Sequence, residues 1–403
     1  MSAERPGSSS GKLSVRRLDV QGKRVFVRVD FNVPFARDGS IASDARIRAS
    51  LPTLNLLLDR GATAVIASHL GKPKGKPNPK LSLRPVADRL AKLLGRKVLF
   101  ASNCIGPETE MFVAAAPPGS AILLENLRFH VGEEANEPAF ADALAALADR
   151  YVNDAFGTAH RTHASTVGVP GRFERPAAGL LMEKEIDYLS RVIGDPERPF
   201  VAVIGGAKVS DKAAVIGNLL ASVDHLLVGG GLMFSFLLAQ GRGIGRSLRE
   251  TDLVETAGRL AADPKLVLPA DVVVTHSLDD TAAARVVPAG AIPETSIGVD
   301  IGPATARIYA DAITRARTVV WAGPMGVFER DAYARGSEAV ARAIASATEA
   351  GATTVVGGGD TLACLAKWDL LGKVSHASTG GGACLEFLEG RKLPGIEALA
   401  RAD

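Results

Sequence analysis

The chain has 403 residues, more than one hydrophobic core usually organises, so its length predicts two domains of comparable size. Hydrophobic residues make up 47% of the sequence, charged residues 23% and aromatic residues 5%, which is typical of a globular protein with mainly aliphatic cores. The formal net charge of +3 disfavours the nucleic-acid-binding class, whose members usually carry a strong positive field.

The sequence begins with a polar segment rich in Ser and Gly, residues 1–12, which predicts a mobile tail without the apolar core of a secretory signal. No apolar run approaches the roughly 20 residues that cross a bilayer. We therefore expect a cytoplasmic protein. The three cysteines, Cys104, Cys364 and Cys384, show neither zinc-ligand spacing nor a disulfide framework, which favours small buried side chains.

Short apolar runs then alternate with Ala- and Leu-rich helical stretches, beginning with RVFVRVDF at residues 24–31 and continuing with ATAVIAS, KVLFAS, SAILLEN and RYVNDAF. Strands that alternate with helices predict a parallel sheet covered on both faces. The alternation starts again at residues 199–206 with PFVAVIGG, followed by HLLVGGG, KLVLPADVVV, TVVWAG and ATTVVGGG. We therefore predict an α/β protein with two doubly wound parallel sheets, one in each domain.

Residues 180–199 separate the two sets of strands and have the pattern of an amphipathic helix followed by a proline-bearing stop. Such a segment is a candidate connector between domains. We place the domain boundary within it, between residues 186 and 187, and predict a second domain over 187–391.

Cationic and imidazole groups follow the predicted strands of the first half: Arg28 beside Asp30 and Asn32, then Arg46, His69, Lys72, Arg128, His160, Arg161 and His163. Ligands of open α/β sheets bind beyond the carboxyl ends of the strands, so we expect these groups to converge on one basic pocket. Guanidinium groups bind carboxylate and phosphate in bidentate fashion, which suits a small ligand carrying both. Each group alone is equally explained as a surface charge or a structural residue, but their recurrence at successive strands favours a site.

Glycine-rich turns follow the predicted strands of the second half, at residues 205–212, 229–231, 323–329, 357–361 and 378–386. Such glycines let backbone N–H groups approach phosphates, and a following helix N-terminus adds a favourable dipole. Provided that they lie on the first helical turns, Lys208 and Lys212 project from one face. Asp360 is a candidate Mg²⁺ anchor. Glycine turns also serve packing alone, and the absence of GxxxxGK[ST] and GxGxxG patterns disfavours a P-loop NTPase and a nicotinamide dehydrogenase.

In their order along the chain, the motifs RVDFNVP, SHLGKP, LLENLRF, GTAHRTHAS, GGAKVSDK, GPMGVFE, GGGDT and STGGGACLEFLEG resemble those of the phosphoglycerate kinase family. The resemblance extends over residues 13–399. It implies a glycolytic and gluconeogenic kinase that reversibly transfers a phosphoryl group from 1,3-bisphosphoglycerate to ADP, giving 3-phosphoglycerate and ATP with Mg²⁺.

The same resemblance implies two Rossmann-like doubly wound domains joined by a hinge helix, with in-line transfer after hinge closure. The N-terminal domain, residues 1–186 plus 392–403, would bind 3-phosphoglycerate, and the C-terminal domain, residues 187–391, would bind the nucleotide. It also implies a cytoplasmic monomer that interacts with neither nucleic acid nor membrane.

Carried over by position, the resemblance implies a substrate site made of Asp30, Phe31, Asn32, Arg46, His69, Leu70, Gly71, Lys72, Arg128 and Arg161. The implied nucleotide site consists of Gly206, Lys208, Lys212, Gly298, Glu329, Gly358, Gly359, Asp360 and Thr361, with Gly380, Gly381 and Gly382 binding phosphate at a helix start. Catalysis is assigned to Arg46, as the transition-state arginine, and to Lys208 and Lys212. Asp360 is the implied metal ligand.

The sequence departs from the family pattern at four places: Lys72 in place of an arginine, Ala322 in place of a common asparagine, residues 295–297 before Gly298, and Cys384 in place of a serine. Two alternatives to the kinase have less support in the sequence. A binding protein without turnover should lack a transfer residue, yet Arg46, Lys208 and Lys212 are present. A dinucleotide-dependent oxidoreductase has no fingerprint in this sequence.

Overall fold

A computed structural model describes residues 11–402, so residues 1–10 of the predicted tail lie outside the described residues. The chain divides into two compact units. The first extends to Asp187 and resumes at Lys392, and the second comprises Tyr188–Arg391. No helix within residues 11–402 combines the length and the apolar character that a membrane crossing requires.

The first unit alternates strands and helices in this order: β1 (Arg24–Arg28), α1 (Ala45–Asp59), β2 (Thr63–Ala67), α2 (Arg84–Leu94), β3 (Val98–Phe100), α3 (Pro107–Ala114), β4 (Ala121–Leu123), α4 (Val131–Glu134), α5 (Pro138–Ala145), β5 (Arg150–Asn153), β6 (Ala177–Ala178) and α6 (Leu180–Gly194). The strands form one sheet in the order β3-β4-β2-β1-β5-β6. All its pairings are parallel.

The sheet of the first unit lies between layers of helices, as its strand β2 shows. Every residue of β2 is buried, as expected for a parallel strand covered by helices on both sides. Helix α2 turns Val86, Leu90 and Leu94 inward, four residues apart, which is the spacing of one helical face. Arg28 at the end of β1 lies opposite Ala67 of β2, so the chain leaves both strands at the same edge of the sheet.

The second unit contains β7 (Phe200–Ile204), α7 (Ala213–Leu220), β8 (His225–Val228), α8 (Met233–Ala239), α9 (Val254–Ala261), β9 (Leu266–Val267), β10 (Asp271–Thr275), β11 (Arg285–Pro288), β12 (Ile297–Ile301), α10 (Pro303–Thr314), β13 (Thr318–Ala322), α11 (Arg335–Glu349), β14 (Thr353–Gly357), α12 (Gly359–Lys367), β15 (His376–Ser378) and α13 (Gly382–Leu388). Six strands form a parallel sheet in the order β15-β14-β13-β7-β8-β9. The prediction of two doubly wound parallel-sheet domains is therefore confirmed.

One detail of that prediction is wrong. The segment KLVLPADVVV does not form one strand of the parallel sheet, because β9 pairs with β8 whereas β10 belongs to a separate antiparallel sheet in the order β11-β10-β12. Pro269 lies between the two strands and cannot donate a ladder hydrogen bond, so the segment is divided there.

The last described segment returns to the first unit and includes α14 (Pro394–Glu397). The Gly395 N–H donates to the Ala159 carbonyl at 2.8 Å, and the Leu13 N–H donates to the Ala400 carbonyl at 2.8 Å. Residues after 391 therefore support the loop that follows β5.

Helix α6 runs without a break through residues 187 and 188, where the two units meet in the chain.

Candidate active site

Four neighbouring strands of the first unit carry the predicted anion-binding residues at their carboxyl ends. The order β4-β2-β1-β5 places the segments that begin after Leu123, Ala67, Arg28 and Asn153 side by side. Parallel strands end at one edge of a sheet, so four separate motifs are brought to one place by the topology alone.

Arg46 lies on the first turn of α1, where its guanidinium forms an ion pair with the carboxylate of Asp30. Asp30 is 9% exposed, and the Arg46 side chain is one-third exposed at 34%. The start of α1 is fixed by Asp44, whose carboxylate accepts hydrogen bonds from Nε of Arg48 and Nε of Arg89, both at 2.9 Å. Arg46 thus reaches the strand ends from a helix that is anchored just before it.

The loop that follows β2 is held by residues from both neighbouring strands. The Gly71 N–H donates to Asn32 Oδ1 at 2.9 Å, and Arg128 Nη1 donates to the Gly71 carbonyl at 2.9 Å. Arg128 is also paired with Glu134, at 3.2 Å from Nε to Oε1. Asn126 donates to the Leu70 carbonyl at 2.8 Å. Four of the predicted substrate residues therefore belong to one connected set of contacts: Asn32, Leu70, Gly71 and Arg128.

The surroundings of two imidazoles in the first unit, His69 and His163, favour the neutral ring. Burial lowers the pKa of His69 well below its ordinary value, and the charges of Arg28, Arg128 and Arg46 lower it further. Burial likewise lowers the pKa of His163 to about 3, together with Arg128 and Arg28. Positive charge is therefore carried by guanidinium groups from several elements, an arrangement that favours an anion with more than one charged group.

Three further predicted substrate residues, Phe31, Lys72 and Arg161, differ in their exposure. The Phe31 side chain is fully buried, and its backbone N–H donates to Ser68 Oγ at 2.8 Å, so the ring is part of the core. Lys72 is exposed. Arg161 is exposed as well, and its charge reaches the buried Arg128 and His163, whose pKa values it helps to lower.

In the second unit, hydrogen bonds connect the glycine turns that follow β7, β13 and β14. The Gly205 N–H donates to the Ala322 carbonyl at 3.0 Å and the Gly206 N–H to the Pro324 carbonyl at 2.9 Å. The Gly323 N–H donates to Thr361 Oγ1 at 2.8 Å. Gly206 has a φ of +99°, in the left-handed region that favours glycine. The turns therefore form one continuous backbone surface.

Lys212 lies against that surface, and its Nζ donates to the Ala322 carbonyl at 3.2 Å. Burial lowers the pKa of Lys212, while the nearby charges of Asp211, Asp360 and Cys384 raise it. Helix α7 begins only at Ala213, so Lys208 and Lys212 precede it and do not lie on its first turns. Lys212 is partly buried, whereas Lys208 is exposed.

Two carboxylates lie near one buried thiol at the next strand exit. Burial, together with the charges of Glu329 and Asp360, raises the pKa of Cys364 to about 12, which places both acids near this thiol. Asp360 is exposed on the first turn of α12. Residues 11–402 contain no group of three or more His, Cys, Asp or Glu that could hold a metal ion by themselves.

Two further parts of the predicted nucleotide site lie in β12 and at the start of α13. Gly298 lies in β12, where its N–H donates to Ser247 Oγ at 2.9 Å and where an added Cβ would collide with the ring of Phe234. The Gly380 N–H donates to Ser378 Oγ at 3.2 Å, and α13 begins at Gly382. Gly298 is thus in the antiparallel sheet, apart from the glycine turns at the parallel strand ends.

The structure adds two residues that the sequence did not indicate, Glu133 and Ser165. Glu133 is fully buried and accepts hydrogen bonds from Ser165, at 2.6 Å from Oγ and 2.9 Å from N–H. In the sequence, Glu133 stands in the polar run GEEANE, which is the pattern of a solvated surface. No local signal distinguishes a buried glutamate in such a run.

The sequence matches the family described as phosphoglycerate kinase over residues 15–391. A phosphoglycerate kinase of Moorella thermoacetica is 54% identical over 393 residues, covering 96% of this chain and 99% of the relative. A cytosolic phosphoglycerate kinase of Triticum aestivum is 51% identical over 390 residues, covering 95% of this chain and 97% of the relative. The solved structure of phosphoglycerate kinase from Coxiella burnetii is similar with a TM-score of 0.86 and 42% identity, covering 96% of this chain and 98% of that one.

Proposed function

The chain belongs to the phosphoglycerate kinase family and catalyses the reversible transfer of a phosphoryl group from 1,3-bisphosphoglycerate to ADP, and we propose which residues carry that reaction. In this proposal the first unit binds the glycerate and the second binds the nucleotide. The chief support is the set of guanidinium groups near His69 that α1 and the loop after β4 contribute, Arg46 and Arg128. Such a set suits a ligand with a carboxylate and a phosphate.

On the glycerate side, Arg46, Arg128, Arg161 and His69 bind the phosphate and carboxylate oxygens. Asp30 and Asn32 hydrogen-bond the ligand hydroxyl, and the 69–72 loop closes one side of the site. The Arg46–Asp30 ion pair supports a second role for Asp30, because an arginine that is held by a carboxylate is already oriented when the ligand arrives.

On the nucleotide side, Lys208, Lys212 and the glycines at 206 and 358–359 bind the phosphates. Thr361 ties two of these turns together through its bond to Gly323. Glu329 binds the ribose and Gly298 borders the adenine, with further phosphate contacts from 380–382. The connected turns support this assignment, because backbone N–H groups at strand ends followed by helices favour phosphate.

The chemistry is an in-line displacement at phosphorus. A terminal oxygen of ADP forms the new P–O bond while the bond between phosphorus and the acyl oxygen breaks, and 3-phosphoglycerate leaves as the carboxylate. This step needs positioning and charge neutralisation more than covalent help from the protein. Arg46 neutralises charge on the acyl side, and the buried ammonium of Lys212 neutralises charge on the moving phosphoryl group.

Asp360 is the residue that holds Mg²⁺ together with the nucleotide. An exposed carboxylate at a helix start fits this role, because Mg²⁺ in such sites is typically bound by one or two carboxylates and by substrate phosphates. When bound, Mg²⁺ neutralises part of the nucleotide phosphate charge.

Substrates held on different units must be brought together before transfer, so hinge motion about α6 is part of the proposed cycle. The uninterrupted course of α6 through residues 187 and 188 supports its role as the hinge. We further propose that the protein is a monomer and that it works in the cytoplasm. The cytoplasmic location is supported by the name of the wheat relative, which calls that protein cytosolic.

A coupled assay tests the activity. The protein is given ATP, 3-phosphoglycerate and Mg²⁺, and the acyl phosphate is reduced by glyceraldehyde-3-phosphate dehydrogenase with loss of NADH. We expect turnover that disappears when 3-phosphoglycerate or Mg²⁺ is omitted. Turnover that continues with Mg²⁺ chelated would contradict the Asp360 assignment.

Calorimetric binding tests the division between the units. Arg128→Ala should abolish 3-phosphoglycerate binding and leave ATP binding intact, and Lys212→Ala should do the reverse. Arg96→Ala and Lys265→Ala are the matched controls: Arg96 pairs with Asp59 on the surface, and Lys265 Nζ donates to a backbone carbonyl at 2.9 Å, as Lys212 does. Loss of both ligands in either site variant would overturn the division.

A further inference from the structure

Arg28 ends β1 with its side chain completely buried beneath the strand-end residues. Its three nitrogens are all engaged. Nε donates to Ser165 Oγ at 2.7 Å, Nη1 donates to the Val29 carbonyl, and Nη2 lies 3.2 Å from His69 Nδ1. A buried guanidinium with these contacts serves other protein groups, so its effect on a ligand must act through one of them.

Ser165 and Glu133 fix the position of Arg28. The Ser165 hydroxyl donates to Glu133 Oε1 at 2.6 Å, so its oxygen lone pairs remain for Arg28 Nε. The hydrogen bonds therefore run in one direction, from Arg28 to Ser165 to Glu133. Glu133 is itself fully buried, and its carboxylate accepts from the Ser165 N–H as well.

The contact between Arg28 and His69 determines where the imidazole carries its proton. A guanidinium has only donors, so His69 Nδ1 must accept and must be unprotonated. The nearest carboxylate oxygen, Asp30 Oδ1, is 3.9 Å from Nδ1, which is too far for a hydrogen bond. A doubly protonated ring would face Arg28, Arg128 and Arg46 in a buried setting. The ring is therefore neutral, with its single N–H at Nε2.

We propose that Arg28 is a positioning residue that fixes His69 in the neutral Nε2–H tautomer, so that this nitrogen donates a hydrogen bond to an anionic oxygen of the glycerate. The inference rests on the proposed role of the site. Among residues 11–402 no protein group bonds Nε2. The opposite tautomer would turn a lone pair of Nε2 toward the anion, and binding would weaken.

Nuclear magnetic resonance of the ligand-free protein tests the tautomer directly. Protein labelled with ¹⁵N in histidine gives imidazole signals, and the His69 signals are those lost in His69→Asn. We expect Nδ1 of His69 to be unprotonated and Nε2 to be protonated. A protonated Nδ1 in the unaltered protein would overturn the proposal, whatever the variants do.

Two variants test whether loss of Arg28 changes the His69 tautomer and weakens binding of 3-phosphoglycerate. Arg28→Met should produce a mixture of tautomers and raise the KM for 3-phosphoglycerate about tenfold, the size expected from one hydrogen bond, with the KM for ATP unchanged. If that variant fails to fold, Arg28→Met combined with Glu133→Gln removes the opposite buried charge as well. A folded variant with the single Nε2–H tautomer retained, or with mixed tautomers and an unchanged KM, would refute the role of Arg28. The coupled assay on the unaltered protein judges the proposed function separately.

Discussion

The guanidinium of Arg46 is paired with the carboxylate of Asp30 across the ends of α1 and β1. The pair is partly buried, since the two side chains are 34% and 11% exposed. An arginine in this position is already oriented, but the ligand must compete with Asp30 for it. The ion pair therefore orients Arg46 before the ligand binds, and it also lowers the affinity for the ligand.

We expect Arg46→Ala to lower kcat about 10²–10³-fold, the usual cost of losing one group that stabilises transition-state charge, with a smaller effect on the KM for 3-phosphoglycerate. Steady-state kinetics measure both values. Arg172→Ala is the control, because Arg172 also pairs with an aspartate of the first unit, Asp142, and both side chains are partly exposed. Equal kcat in the Arg46 variant and the control would refute the assignment.

Gly206→Ala should raise the KM for ATP and lower kcat. The φ of +99° disfavours any residue with a Cβ, so the turn must shift, and it does so next to Lys212, whose Cε would be in van der Waals contact with the added Cβ at 3.4 Å. Gly351→Ala separates the two causes, since Gly351 has a φ of +95° with nothing within 4 Å of an added Cβ. The control should lose stability without a change in nucleotide KM. The same KM change in both variants would show that backbone strain alone is responsible.

The pH profile of kcat/KM should fall on the alkaline side as Lys212 loses its proton. Burial lowers the pKa of this ammonium below that of an ordinary lysine, so the positive charge is lost at a lower pH than an exposed lysine would show. Lys212→Arg should move this alkaline limb to higher pH, because a guanidinium stays protonated. An alkaline limb at the same pH in both proteins would assign it to another group.

Asp154 caps α6, and its Oδ1 accepts from the Leu181 N–H at 2.9 Å. Burial raises the pKa of this carboxyl from its ordinary value of 3.8 to about 7. Between those values the folded protein holds a proton that the unfolded chain releases, so stability falls as pH rises through this window. Asp154→Asn keeps an acceptor and carries no charge.

Chemical unfolding followed by circular dichroism measures this effect. The difference in unfolding free energy between Asp154→Asn and the unaltered protein should grow in favour of the variant from pH 4 to pH 7 and stay level above it. Asp300 also has its pKa raised to about 7 by burial, so the variant should retain part of the pH dependence. A pH-independent difference would show that Asp154 does not titrate in this range.

Much of the fold follows from local pattern. The segment TAVIA has no polar face, and such a strand can exist only where helices cover both sides of a parallel sheet. The division of KLVLPADVVV between two sheets could not be predicted, because both halves are apolar and only their partners, β8 on one side and β11 and β12 on the other, separate them.

The candidate site also has residues that the local sequence indicates and residues whose role depends on distant partners. Arg28 and Arg128 are visible in the sequence, since each lies in or just after an apolar run. The burial of Glu133 depends on Ser165, which lies 32 residues away in the chain, and no spacing rule connects the two. Arg28 was visible as a charge beside Asp30, but its contact with His69 exists only because β1 and β2 pair in register.

The return of residues 392–402 to the first unit affects how the protein is made. The ribosome completes the whole second unit before it adds the segment in which Gly395 bonds Ala159 and Ala400 bonds Leu13. The first unit therefore lacks the contacts of its C-terminal segment until the whole second unit has been synthesised. A nascent chain that stalls after residue 391 would carry an unfinished first half, and chaperones or proteases that recognise exposed apolar surface would encounter it there.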